Sequence, residues 1–178
     1  MKHMKKMLLI LLAAVALVAS TSSTVAFLNE RSNGRENVFT PATVDCEVMD
    51  VLHNNVQSDV HVKNTGDIPA YVRVALVINW QDANGNIAAV CPQQNVDYTL
   101  SINSTDWFLK DGFYYCRKSV DPGWLSAVLV EDIVPMGSNA PHGYTLTTQF
   151  LASAIQARPA DAVENAWGVT VGEQGLEP

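Results

Sequence analysis

The chain has 178 residues, 48% of them hydrophobic, with 18 acidic against 11 basic side chains and a formal net charge of −7 at pH 7. That length suits one domain with a sizeable core. No cluster of Lys and Arg follows Lys6, which argues against a nucleic-acid or anionic-membrane partner, because phosphate binding depends on clustered cations.

The first element is the run that opens the chain. MKHMKKM carries Lys2, Lys5 and Lys6 and no acid, and thirteen uninterrupted apolar residues follow from Met7 to Ala19. A basic start, a short apolar core and a small-residue exit form the pattern of a secretory signal peptide. A spanning helix needs about 20 mostly apolar residues, and the Ser20–Thr24 hydroxyl cluster dilutes any extension, which leaves an uncleaved anchor as the weaker alternative. Thr24 and Ala26 occupy the −3 and −1 positions of a cut between Ala26 and Phe27. Residues 1–26 are therefore expected to be removed on export by a signal peptidase, with membrane contact only before cleavage. The mature chain keeps all 18 acids but eight basic residues, a net charge of −10.

Residues 27–42 open with FLNERSNGRENVFT, in which Phe27, Leu28, Val38 and Phe39 flank a polar, Gly-containing span. This segment is too polar to make a helix or a core alone, and it reads as an extended strand free to leave its own domain. From residue 43 to 170 the period-two alternation of apolar residues predicts an all-β domain. VQSDVHVKN turns Val56, Val60 and Val62 inward, and YVRVALVINW does the same with Val72, Val74, Leu76, Ile78 and Trp80. The turn NTGDIP between them suggests one antiparallel strand pair over residues 56–80. QDANGN predicts a hairpin turn into a strand IAAVC. VDYTLSI, WFLK, FYYCRKSV, AVLVEDIV and YTLTTQFLASAIQA complete a set of short strands bounded by Gly, Pro and Asn turns, the composition of a β-sandwich. PADAVENAW predicts one short helix near the end, and residues 171–178 read as a loose polar tail.

Cys46, Cys91 and Cys116 follow the signal region. Cys46 shares a face with Val44 and Val48, as a buried inert thiol does. Cys91 and Cys116 end strands predicted to be neighbours, and a Cys91–Cys116 disulfide would close a loop worth about 3 kcal/mol on the chain-entropy model. An odd count leaves one thiol over. The cysteines have no zinc spacing, and neither His-Glu-x-x-His nor Gly-x-Ser-x-Gly occurs. His53 and His61, eight residues apart near Asp50 and Asp59, read as solvated strand and loop residues. No catalytic residue, metal or cofactor is expected.

Two separated stretches carry a resemblance. NTGDIPAYVRVALVINW, together with STVAFLNERSNGRENVFTPATVDCEV, resembles exported proteins of the TasA/camelysin type from Gram-positive bacteria, which are processed by an endoplasmic-reticulum-type signal peptidase. AIQARPADAVENAWG is similar to the family's closing strand and helix, and DGFYYCRKSVDPG to its aromatic hairpin. Together they span most of residues 20–168. The resemblance implies a jelly-roll β-sandwich and a biofilm-matrix fibre subunit, while the camelysin branch implies a metallopeptidase.

The expectation is thus a secreted, jelly-roll-like antiparallel β-sandwich with one short C-terminal helix. Its expected role is as a structural subunit of an extracellular fibre, matrix or cell-surface layer. The freed segment carrying Phe27, Leu28, Val38 and Phe39 would add as a strand to a neighbouring copy, making a head-to-tail homopolymer, with an accessory matrix protein as a further partner. The alternatives are a monomeric surface adhesin, for which the aromatics Trp107, Phe108, Phe113, Tyr114, Tyr115 and Trp124 would supply a binding loop, and a camelysin-like metallopeptidase.

Overall fold

Short segments of alternating polarity become ten strands in a computed structural model that describes residues 42–53, 56–136 and 139–178. Pro41–Pro178 is one compact unit. The strands are β1 (Cys46–His53), β2 (Val56–Asn64), β3 (Ala70–Asp82), β4 (Tyr98–Ile102), β5 (Trp107–Lys110), β6 (Phe113–Cys116), β7 (Val130–Pro135), β8 (Tyr144–Gln156), β9 (Thr170–Gly172) and β10 (Gly175–Glu177). The helix α1 covers Ala160–Trp167.

One four-stranded sheet has the order β1-β2-β7-β4 and a second has β5-β6-β3-β8. All their pairings are antiparallel. Val60 and Val62 of β2 and Val130 and Ile133 of β7 pack on Val72 and Val74 of β3, Trp107 of β5 and Cys116 of β6, all essentially buried. Each sheet thus buries one face against the other, as a β-sandwich requires. The interleaving of β2-β7-β4 with β8-β3-β6 is that of a jelly roll, with β1 and β5 moved to the opposite sheet.

Residues 56–80 do not make the strand pair that their alternation suggests. β2 pairs with β1 and β7, whereas β3 pairs with β6 and β8. Both strands carry strongly apolar inner faces. Those faces meet across the core, which buries more of each than lying side by side would. NTGDIP is the crossing between sheets. IAAVC is not a strand either: Gln81 and Ile87 form an isolated bridge, and Ile87 and Val90 are exposed.

The outer face of the second sheet carries its own small core. Tyr71, Phe108 and Tyr115 are covered by Val163 of α1, Val169 and Leu176. The helix is tied down at several points. Gly168 closes it in the left-handed conformation, its N–H donating to the Glu164 carbonyl. Lys110 Nζ donates to the Gly168 carbonyl at 2.5 Å, a favourable place for a cation at a helix C-terminus. The Arg73 guanidinium lies 4.2 Å from the Phe113 ring centre and 4.8 Å from that of Trp167, and it donates to Ser153 Oγ at 3.1 Å. Residues 171–178, expected to be loose, form the β9–β10 hairpin. Leu176 is buried there and its N–H donates to the Arg117 carbonyl at 2.7 Å. Gly175 makes that docking possible: a Cβ on it would sit 1.9 Å from the Arg117 oxygen.

Candidate functional site

Four strands lie at the edges of the two large sheets, and three of them are blunted. β1 carries Glu47 and Asp50 and shifts register between Met49 and Val51. The extra residue falls on β2 beside Asp59, which takes a positive φ of 54°. β4 has five residues and its own register shift, and β5 has four residues and Lys110. Short length, charge and bulges are the usual protections against unwanted strand pairing.

β8 has none of them. Its sequence YTLTTQFLASAIQ contains no charge, proline or glycine. It pairs with β3 without a register shift from Ala70↔Gln156 to Asp82↔Tyr144. No strand among the described residues pairs with its other side. Every second residue of an antiparallel strand turns its N–H and C=O away from its partner, so about six residues of β8 present both groups to that side. The side chains tell the same story: no residue of β8 is buried, although Leu146, Thr148, Phe150, Ala152 and Ala154 point inward.

Where β8 begins, the sandwich is incompletely filled. A cleft of about 710 Å³ opens between the sheets, walled chiefly by Leu52, Gln57, Trp80, Ile133, Leu146 and Thr148. Thr148 Oγ1 donates to Gln57 Oε1, and Gln57 Nε2 donates to Asp50, so one carboxamide links the two sheets across the cleft. The remaining wall is mainly apolar, with Leu52 itself 71% exposed.

The chain enters β1 at the opposite end, through a clamp built from the NTGD turn. Asn64 is fully buried. Its Nδ2 donates to the carbonyls of Ile68 and Val120, both at 2.8 Å, and its Oδ1 accepts from the Gly66 N–H at 2.9 Å. Thr43 N donates to Asp67 Oδ1, Asp67 N donates to the Thr43 carbonyl, and Thr65 N donates to the Asp45 carbonyl. A Cβ on Gly66 would lie 2.4 Å from the Thr43 oxygen. Glycine is therefore the residue that lets the incoming chain lie against the turn.

Ala26, Phe27, Leu28, Val38 and Phe39 lie outside the described residues. The Cys91–Cys116 disulfide is not formed, and all three cysteines are free thiols. IAAVC forms no strand, so Cys91 stays in an exposed loop. Cys116 faces the core opposite Trp107, where burial pushes its thiol up to about 11. Cys46 is half-buried and its thiol is also raised, by burial first and then by Asp45. Among the six clustered aromatics only Trp124 is exposed, because Trp107, Phe108 and Tyr115 are buried and Phe113 and Tyr114 half-buried. His61 Nδ1 sits 2.9 Å from the Ser126 carbonyl. Among the described residues no three His, Cys, Asp or Glu side chains gather as a metal site, and no helix is long and apolar enough to cross a membrane.

Comparison with protein-family models, with curated proteins and with solved structures returns no match.

Proposed function

We propose that the chain is a secreted structural subunit of an extracellular fibre or surface layer. In this reading the segment freed by cleavage before Phe27 adds as a strand to β8 of a neighbouring copy. The observation that carries it is the β8 edge, thirteen residues long, regular in register, uncharged and unpaired among the described residues. Such an edge is a template for strand addition, where main-chain hydrogen bonds give affinity and side-chain pockets give register.

The lengths are compatible. Thirteen residues of β8 span about 44 Å, and the fifteen residues from Phe27 to Pro41 reach about 50 Å when extended. The cleft beside Leu146 and Thr148 offers a seat for an aromatic ring. The chain enters β1 beside Asn64, at the end of the sandwich away from that cleft, which favours a head-to-tail contact over a closed pair. The role is structural, with no catalytic step assigned.

Electron microscopy of protein starting at Phe27, beside protein starting at Asn37, tests this. Fibres are expected from the first and not from the second. Thr148→Lys is the companion variant: its ammonium group reaches water through the open cleft of a free subunit but would be sealed by an added strand, a burial costing several kcal/mol. Fibres of equal length from all three proteins, or from none, would sink the proposal. If the exposed Trp124 instead served an adhesin, replacing it would abolish surface binding while all three proteins stayed monomeric.

A further inference from the structure

Beside β8 the sandwich is open, and an acid stands in the opening. Cys46, Val48, Asp50 and Leu52 form the inward row of β1, the strand that lies against β8. Cys46 and Val48 pack on the core, whereas Asp50 and Leu52 stay exposed. Asp50 accepts from Gln57 Nε2, and Gln57 Oε1 accepts from Thr148 Oγ1 of β8. A carboxylate therefore sits one carboxamide away from the unpaired strand, and no described Lys or Arg lines the cleft around it. The segment from Phe27 to Phe39 has a matching pattern in its sequence. With the period of a strand, Phe27, Arg31, Arg35 and Phe39 fall on one face, and Leu28, Glu30, Glu36 and Val38 on the other. Both arginines share a face with both phenylalanines, and both glutamates take the opposite face. Adding this strand to β8 with its glutamates inward would set like charges beside Asp50. Adding it with its arginines inward sets opposite charges there and turns a phenyl ring towards the cleft.

Length and direction decide which arginine meets the acid. The stretch Phe27–Phe39 and β8 both have thirteen residues. Full antiparallel pairing sets Phe39 opposite Tyr144, Arg35 opposite Thr148 and Phe27 opposite Gln156. Only Thr40 and Pro41 then separate the added strand from the described chain. The β1 entrance of one copy is thereby brought to the cleft end of the next, so unlike ends meet and the contact repeats. Parallel pairing would join like ends, as in a closed pair, and would set Arg31 opposite Thr148 instead. We infer that Arg35 of one copy pairs with Asp50 of the next, and that this ion pair fixes the register and direction of the added strand. The inference rests on the strand-addition reading above. An arginine suits the position because its planar fork meets a carboxylate in a defined geometry. Phe39 then lies against Tyr144 and Leu146, two walls of the cleft.

Charge exchange in protein starting at Phe27 tests it, with the critical concentration for fibre formation read by sedimentation. Asp50→Arg and Arg35→Asp, each alone, are expected to raise that concentration at least about tenfold, since each sets like charges together. The Asp50→Arg/Arg35→Asp double variant is expected to return to within about threefold of the parent. The two single variants mixed in equal amounts are also expected to co-assemble, because each then offers the other an opposite charge. Asp50 is exposed, so the unfolding midpoint of the dilute single variants should match that of the parent. Rescue of Asp50→Arg by Arg31→Asp rather than by Arg35→Asp overturns the register, in favour of a parallel strand. If the parent forms fibres and Asp50→Arg assembles equally well, or if neither the double variant nor the mixture recovers, the ion pair is refuted while strand addition stands. A parent that forms no fibres removes strand addition, and the ion pair with it.

Discussion

Replacing Asn64 with alanine should loosen the crossing between the two sheets. The side chain is fully buried and makes three hydrogen bonds, to Ile68, Val120 and Gly66. Alanine removes all three, and the Gly66 N–H and the Ile68 carbonyl lose the partner that satisfied them. The Val120 carbonyl is partly spared, because it also accepts from Ala70 N–H at 3.0 Å. At about 1 kcal/mol per bond the loss is about 3 kcal/mol, a large share of a domain's usual 5–15 kcal/mol. For a domain of this size that corresponds to a fall in Tm of about 6–12 °C. Denaturant unfolding gives the magnitude, and amide hydrogen exchange gives the place. Thr65 and Asp67, whose N–H groups hold the chain entering β1, should lose protection first. A stability loss under about 0.5 kcal/mol, or protection unchanged at both amides, would refute the claim that Asn64 holds this crossing.

Thiol labelling of the native protein should modify Cys91 at once, Cys46 slowly and Cys116 only on unfolding, since they are exposed, half-buried and buried in that order. Cys116 also sets an alkaline limit. Its folded pKa of about 11 exceeds that of an unfolded thiol, so its protonated form contributes fully below about pH 8.5 and stability falls as pH rises from there towards 11. Urea midpoints across that range should decline less steeply in Cys116→Val than in the parent. Arg73→Lys keeps the charge but loses the planar stack on Phe113 and Trp167; it should cost about 1–2 kcal/mol and shift Trp167 fluorescence, and an unchanged spectrum would count against the stack. Gly175→Ala should free the C-terminal hairpin, because its Cβ meets the Arg117 carbonyl; faster proteolysis after Glu173 with the sandwich intact is the expected readout.

Much of this protein is written locally. The alternation in VQSDVHVKN and YVRVALVINW identified the strands and their inner faces, and Val60, Val62, Val72 and Val74 are indeed fully buried. The helix over Ala160–Trp167 follows from the spacing of its apolar residues, and Gly168 ends it where glycine readily takes a positive φ. Alternation reports which side of a strand is wet. It does not report which strand lies beside it, because that choice depends on how far-apart inner faces meet, and so β2 and β3 fell in different sheets. The same limit hid the burial of Leu176, whose neighbours Tyr71, Phe108 and Val163 are distant in sequence. It also left Cys91 far from the core in which Cys116 sits. The clamp was half legible: Asn, Gly and Asp announced a turn, but only the tertiary structure placed Thr43 against Gly66. The uncharged run of β8 stood in the sequence throughout, yet only topology sets that strand at the rim of a sheet. Sequence determined which residues seek burial; the packing of two sheets decided which of them were left with an open side.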